Sequence, residues 1–177
     1  MKNVKTQKLV RVSLLCAISV VLVYFIHFPL IPAAPFLEYD PADISIILTG
    51  LSYGTGWGLI ATVITSLIQG LTVSSASGWI GIVMHIISTS AFILVISLVY
   101  KKTSKLIPSL ILGVITMVIV MIPVNLIFTG MFMGTGVMTV VKMLIPAIIP
   151  FNLLKAGINA VVSGIIFSRI KKYAVID

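Results

Sequence analysis

The stretch 144-LIPAIIPFNLLKAGINAVVSGIIFS-168 decides how this chain folds. It is long enough to cross a bilayer, since a spanning helix takes roughly 20 mostly apolar residues. Backbone groups in hydrocarbon must be bonded within their own segment, so the run predicts an α-helix. The same run contains Asn152, Lys155 and Asn159. An ammonium and two amides at this depth therefore need an explanation.

The composition of the whole chain points the same way. Of its 177 residues, 59% are hydrophobic and 9% are charged, and the mean hydropathy is +1.23. These values exclude an ordinary soluble domain and indicate an integral membrane protein. The net charge of +8 does not indicate nucleic-acid binding, because the basic residues cluster between apolar runs. A single cysteine, Cys16, excludes an intramolecular disulfide.

Six apolar runs predict an all-α integral membrane protein, a six-transmembrane-helix bundle that forms a single membrane domain over residues 1–177. The predicted helices are 9–28, 42–53, 56–73, 79–100, 107–129 and 144–168. The first run follows a basic start as a signal peptide does, but it has spanning length and no small-residue cleavage site, so we expect it to be retained. The second run is short and is separated from the third by Gly54 and Gly56. It is predicted either to sit deep among its neighbours or to form a helical hairpin with the third.

The basic residues orient the predicted bundle, since lysine and arginine in short loops stay on the cytoplasmic side. They form three clusters, which are Lys2, Lys5, Lys8 and Arg11; Lys101, Lys102 and Lys105; and Arg169, Lys171 and Lys172. Six spans place all three clusters on one side, whereas five or seven would not. Both termini are therefore predicted to be cytoplasmic. Lys142 is the exception to the charge rule, because it falls in a predicted outer loop. The predicted outer loops are 29–41, 72–78 and 130–143.

The first outer loop differs from the others in composition. The segment 28-FPLIPAAPFLEYDPAD-43 has four prolines and three of the four acids of the chain, Glu38, Asp40 and Asp43. Proline fixes its own φ and disfavours helix in the residue before it, so a stiff, non-helical segment is predicted. The segment is either a lid or wall of a binding site, or a plain connector with solvated acids.

Polar side chains within the predicted helices collect at one depth. They are Gln69, His85, Asn125, Asn152, Lys155 and Asn159. The last three share one helix face, and Lys155 lies roughly 8–13 Å below the outer end of its helix. Such side chains usually face a cavity or the bundle interior, so we predict a pocket that opens to the outside beneath the first loop. The alternatives are a lysine that snorkels to the headgroups, amides that bond neighbouring helices, and a satisfied interior histidine.

Other functions have weaker support in the sequence. The inner half of the predicted bundle has no acid or histidine, so a proton or cation path is not indicated, and no phosphate-binding loop occurs. A metal cluster of Glu38, Asp40 and Asp43 with His27 lacks a ligand-spacing motif, and we expect neither metal nor cofactor. A membrane enzyme that uses Asp40 or His85, and a purely structural subunit, stay open as alternatives. Helix 1 carries Ser13 and Ala17 four residues apart, a spacing that permits close helix packing within this chain or docking of a partner.

The basic N-terminus, the small residues of helix 1, the loop "PFLEYDPADI" and the motif "PFNLLKAGIN" together resemble the S components of energy-coupling factor (ECF) vitamin transporters. The resemblance spans the whole chain, and the two motifs are similar to the riboflavin branch. It implies a non-enzymatic subunit that captures a vitamin outside the cell and joins a transmembrane coupling protein with two cytoplasmic ATPases. It also implies contacts to the vitamin from Asn152, Lys155 and Asn125, with Tyr39 and Asp40 brought into the site by the first loop.

The sequence departs from that branch in two segments, the first loop and helix 1. Glu38 stands where a basic residue is common and Pro41-Ala42 where Phe-Ser is common, and Ser13 replaces an alanine. The two motifs favour riboflavin, and these departures keep pantothenate, pyridoxine and the hydroxymethylpyrimidine of thiamine as alternatives. The predicted location is the plasma membrane of a Gram-positive bacterium, in contact with lipid.

Overall fold

The structure, a computed structural model, describes residues 4–32 and 34–173, so Lys2 of the first basic cluster lies outside the described residues. The fold is all-helical apart from one short strand pair, as predicted. The helices are α1 (Val4–Phe25), α2 (Ala42–Tyr53), α3 (Thr55–Leu71), α4 (Gly78–Thr103), α5 (Leu106–Met133), α6 (Val137–Met143) and α7 (Ile149–Ile170). A π-helical segment, Leu144–Ile148, joins α6 to α7, and short 3-10 turns cover Ser75–Ser77 and Lys171–Tyr173.

Several helix bounds follow simple local causes. α2 has the predicted bounds and is separated from α3 by Gly54, whose φ of 91° suits glycine. α1 begins at Val4 rather than at residue 9, because lysine and glutamine are good helix formers and continue the helix beyond its apolar part.

The third predicted outer loop, 130–143, is wrong in most of its length. α5 continues to Met133, and Gly134 ends it with a φ of 63°. The chain is helical again from Val137, so the predicted sixth helix begins seven residues early, at 137 instead of 144. The glycines at 134 and 136 interrupt the helix, but the methionines and valines beside them are compatible with it.

Four helical segments of the described chain are long and apolar enough to cross a membrane. They are Lys5–Phe25, Ser75–Thr103, Leu106–Met133 and Val137–Ile170. α2 and α3 are shorter, and the 12 residues of α2 rise only about 18 Å. All of α2 except Tyr53 is buried, so this helix sits deep among its neighbours.

The bundle has two chemically different ends. The loop end is where residues 26–41 meet the first turns of α2, α4 and α7. At the opposite, basic end, the ring of Tyr100 in α4 packs 5.3 Å from that of Phe167 in α7, close to the last turns of both helices. The start of α1 lies beside Trp57 of α3, so the described members of all three basic clusters are at this end.

The described residues of the loop 26–41 are non-helical, and they contact one another and the bundle. Its strands β1 (Phe28–Pro29) and β2 (Glu38–Tyr39) pair antiparallel, with Phe28 opposite Tyr39. Ala34 and Leu37 are buried in a second apolar cluster with Val140, Ala147, Ile148 and Phe151. The loop therefore packs into this end of the bundle.

Candidate functional site

A cavity opens at the loop end between the loop and helices α3, α4, α5 and α7. The cavity has a volume of about 190 Å³, and the empty space between its wall atoms is about 1050 Å³ when the open mouth is counted. Polar wall residues include Asp40, Ser66, Gln69, His85, Asn125, Asn152 and Lys155, and apolar ones include Leu37, Met117, Met121 and Phe151. Such a wall, mostly apolar with a few converging polar groups, is typical of small-molecule sites.

Lys155 does not snorkel to a headgroup region. Its Nζ donates to Oδ2 of Asp40 at 2.6 Å, and both side chains are about nine-tenths buried. The other carboxylate oxygen, Oδ1, accepts the backbone N–H of Ala42 at 3.2 Å. An ion pair therefore joins α7 to the segment between β2 and α2 and accounts for the ammonium at this depth.

Asn159, one turn below Lys155, ties the same segment to α7. Its amide nitrogen donates to the carbonyl of Asp40 at 3.2 Å and to Oδ2 of Asp43 at 3.4 Å, and its Oδ1 accepts the Tyr39 hydroxyl at 2.9 Å. Burial, and next the nearby carboxylate of Asp40, raise the pKa of the Tyr39 phenol. The phenol therefore stays protonated at neutral pH and donates this hydrogen bond.

A second polar chain runs from α2 to α3 through His85. Asp43, which is fully buried, accepts a hydrogen bond from Thr89 at 2.9 Å and lies 3.4 Å from Nε2 of His85, although this nitrogen lacks good hydrogen-bond geometry. Nδ1 of His85 lies 2.7 Å from the Ser66 hydroxyl, which itself donates to the carbonyl of Thr62 at 2.6 Å. Ser66 and His85 thus share a hydrogen bond in which the donor depends on the tautomer of the imidazole.

Two amides of the wall have an oxygen without a partner among the described residues. Asn152 donates to the carbonyl of Ile148 at 2.8 Å, but its Oδ1 is buried and unpaired. Gln69 donates to Ser74 at 3.3 Å, and its Oε1 is likewise unpaired. Asn125 differs, because it donates to the carbonyl of Met121 and accepts from Thr129, both at 2.7 Å. Buried unpaired acceptors are costly, so a bound molecule with donors would relieve Asn152 and Gln69.

The predicted site residues thus divide into two groups. Asp40, Gln69, His85, Asn125, Asn152 and Lys155 line the cavity. Tyr39 and Asn159 do not line it, because they bond to each other on the far side of the Asp40 carbonyl.

Sequence reasoning missed the role of Asp43, which it treated as an acid of the loop. A usable signal was present, because Asp43 is the only charged residue of the predicted helix 42–53. A charge buried in an apolar helix, like that of Lys155, needs a partner.

Helix α1 presents Ser13 and Ala17 outward. Both are exposed, whereas Val12, Cys16, Ser19 and Val23 form the buried face of the helix. The pair was predicted either to pack within this chain or to dock a partner. The structure excludes the first interpretation for the described residues.

The fold and the site define an all-helical membrane protein with a polar cavity at one end of its bundle. A family model described as the substrate-specific component of ECF transporters matches residues 7–167. The chain belongs to this family, as the sequence motifs indicated.

Individual relatives agree with this assignment. The chain is 29% identical over 181 residues to the riboflavin transporter RibU of Streptococcus thermophilus, covering 96% of this chain and 85% of the relative. It is 28% identical over 100 residues to RibU of Lactococcus lactis subsp. cremoris strains NZ9000 and MG1363, where the match covers 55% of this chain. That match spans about half, 48%, of the Lactococcus proteins.

Two solved structures share the fold. The S component of a bacterial ECF transporter superimposes with a TM-score of 0.82 at 27% identity, covering 96% of this chain and 98% of the other. The S component for biotin of an ECF-type ABC transporter gives 0.67 at 16% identity, covering 97% and 94%, a similarity of fold alone.

Proposed function

We propose that this protein captures riboflavin outside the cell as the specificity subunit of an ECF importer. A transmembrane coupling protein and two cytoplasmic ATPases would then drive uptake across the plasma membrane of a Gram-positive bacterium. The family and the named riboflavin transporters among its relatives support this proposal. We assign no catalysis to the chain, because its family is described as a substrate-specific transporter component.

The observation that carries the proposal is the pairing of Asn152 with Lys155. Asn152 offers an unpaired acceptor, and the ammonium three residues on has two N–H groups beyond the one directed at Asp40. A ligand edge with an N–H next to a carbonyl would satisfy both. The flavin ring has such an imide edge, and the same residues are those that the family resemblance assigned to the vitamin.

The remaining wall suits a flat, partly apolar ring. Met117, Met121 and Phe151 contribute apolar surface on α5 and α7. Gln69 with its unpaired oxygen, Ser74 and Ser77 supply polar groups from α3 and the turn before α4. A polyol chain, which has several hydroxyl donors, would be accommodated among these groups.

Purification and ligand analysis test the proposal. The protein purified in detergent should release a yellow compound on denaturation with the absorbance and mass of riboflavin. Asn152→Ala should then weaken riboflavin binding about 5- to 150-fold, the equivalent of about 1–3 kcal/mol for a lost buried hydrogen bond. Leu153→Ala, on the exposed face of the same helix, is the matched control and should bind normally. Equal affinity of the two variants would contradict the assignment of Asn152.

The orientation is proposed on the basis of charge. All described basic clusters lie at the basic end, so we place both termini in the cytoplasm and the cavity outside, with six helices in one membrane domain. In a Cys16→Ala background, a membrane-impermeant maleimide should label Ser75→Cys in intact cells but not Ser104→Cys. Labelling of Ser104→Cys alone would reverse the orientation.

The exposed small residues of α1 are proposed to dock the coupling protein. Ser13 and Ala17 lie on the side of α1 that no described element covers, and small residues allow a partner helix to approach closely. Ala17→Leu should abolish co-purification of the coupling protein and leave riboflavin binding intact. Leu154→Ala, at an exposed position of α7, is the control and should not affect co-purification.

A further inference from the structure

The geometry points to a charge-selecting role for Asp40: its carboxylate neutralises Lys155, so that the cavity accepts an electrically neutral ligand and disfavours one that carries a carboxylate or phosphate. This inference rests on the proposed function and adds the charge of the ligand to it. Asp40 suits the role because the Ala42 N–H, as well as Lys155, holds its carboxylate in place. A ligand anion would therefore have to displace a fixed internal anion.

The other charges around the cavity do not attract an anion. The ionisable side chains in its described wall are His27, Glu38, Asp40, His85 and Lys155. With neutral histidines, these give one positive and two negative charges. His85 faces the buried carboxylate of Asp43, so even its protonated form would be matched internally. The basic clusters of the described chain are at the opposite end of the bundle.

The ion pair still allows Lys155 to bind a neutral ligand. One N–H of the ammonium is directed at Asp40, and the other two can reach a carbonyl of the ligand without breaking the pair. An anionic ligand gains the same hydrogen bonds but is repelled by the carboxylate of Asp40 as well as attracted by Lys155, and Glu38 adds a further negative charge to the wall. That repulsion is strong at a site removed from water, because the effective dielectric constant is lower there.

Matched ligand pairs test the inference on the full-length protein in detergent. The pairs are riboflavin with riboflavin 5′-phosphate, pyridoxine with its phosphate, and pantothenol with pantothenate. For the pair whose neutral member binds, the wild type should prefer that member by at least about tenfold, equivalent to about 1.4 kcal/mol. Asp40→Asn, which keeps a hydrogen-bond acceptor for Lys155, should reduce this preference about tenfold.

Glu38→Gln is the matched control, since it removes the same charge from an exposed wall position two residues away. It should change the preference less than about threefold, because solvent screens exposed charges. An unchanged preference in Asp40→Asn would overturn the inference, and so would an equal change in both variants.

A further variant covers the case in which Asp40→Asn does not fold. Asp40→Asn combined with Lys155→Met removes both charges and should keep the wild-type preference. A preference that rises in the double variant would show that Lys155 attracts anions despite Asp40, and would overturn the inference.

Failure of the two proposals can be told apart. If pyridoxine or pantothenol binds and riboflavin does not, the riboflavin proposal fails and the charge inference stands. Tighter binding of any anionic member than of its neutral counterpart would overturn the charge inference alone. Binding of no member of any pair would overturn both.

Discussion

Helices α2, α4 and α7 are polar where they approach the loop end and apolar toward the basic end. At the loop end they bring together Asp43, His85, Lys155 and Asn159. Further along the same helices, Ile46, Ile47, Phe92, Ile93 and Phe167 are fully buried in the main apolar cluster. In the first region each polar group depends on one to three specific partners in other elements, whereas many apolar contacts together stabilise the second.

The difference shows which region is built for binding and which for rigidity. The apolar region is close-packed: a Cβ on Gly58 would lie 2.5 Å from the Ile93 side chain and 2.9 Å from the backbone of Gly50. The polar region keeps a cavity and leaves acceptors of Asn152 and Gln69 unpaired, which costs stability. Such a cost is expected where a ligand must complete the structure.

Lys155→Ala should cause the largest loss of stability, because it breaks the ion pair with Asp40, which is the most specific contact of the polar region. Removal of one partner from a buried ion pair leaves an unpaired charge and typically costs about 3–5 kcal/mol. Thermal unfolding in detergent should show this loss, and ligand binding should fall with it.

The combination of Lys155→Met with Asp40→Asn should recover most of the stability but not the affinity, because it leaves no unpaired charge. A double variant as unstable as Lys155→Ala would contradict the account of the ion pair.

Ile93→Ala should affect stability alone. Ile93 is fully buried against Gly50 and Gly58, and truncation of such a side chain costs about 2–5 kcal/mol through lost packing and the cavity left behind. Riboflavin affinity, measured by fluorescence quenching below the unfolding temperature, should stay within about twofold of the wild type. A large loss of affinity would show that the two regions are coupled.

Tyr39→Phe should have the smallest effect on stability. It tests whether Tyr39 belongs to the ligand site. It removes the hydrogen bond to Asn159 and costs about 0.5–1.5 kcal/mol in unfolding free energy. Riboflavin affinity should change little, since neither residue lines the cavity. A drop in affinity of more than about tenfold would restore Tyr39 to the ligand site, where the family resemblance placed it.

Much of the fold could be predicted from apolar runs and glycine breaks, as α2 and Gly54 show. Prediction failed in two segments that are helical although their composition is not that of an apolar helix. The basic start of α1 is helical although it is not apolar, and the glycine- and methionine-rich segment 130–143 is helical except for residues 134–136. The gathering of Asn125, Asn152 and Lys155 at one cavity followed from depth along the helices, which helical rise fixes.

The sequence by itself determined that the protein is a membrane-embedded helical bundle, because backbone groups in lipid must be bonded and apolar runs of about 20 residues have the length of spanning helices rather than of spanning strands. It also determined that Lys155 needs a partner at its depth. Only the tertiary structure decided that the partner is Asp40, 115 positions away, and that Tyr39 bonds Asn159 instead of facing the cavity. The partner of a buried charge depends on which elements meet in space, and periodicity along one helix does not specify that.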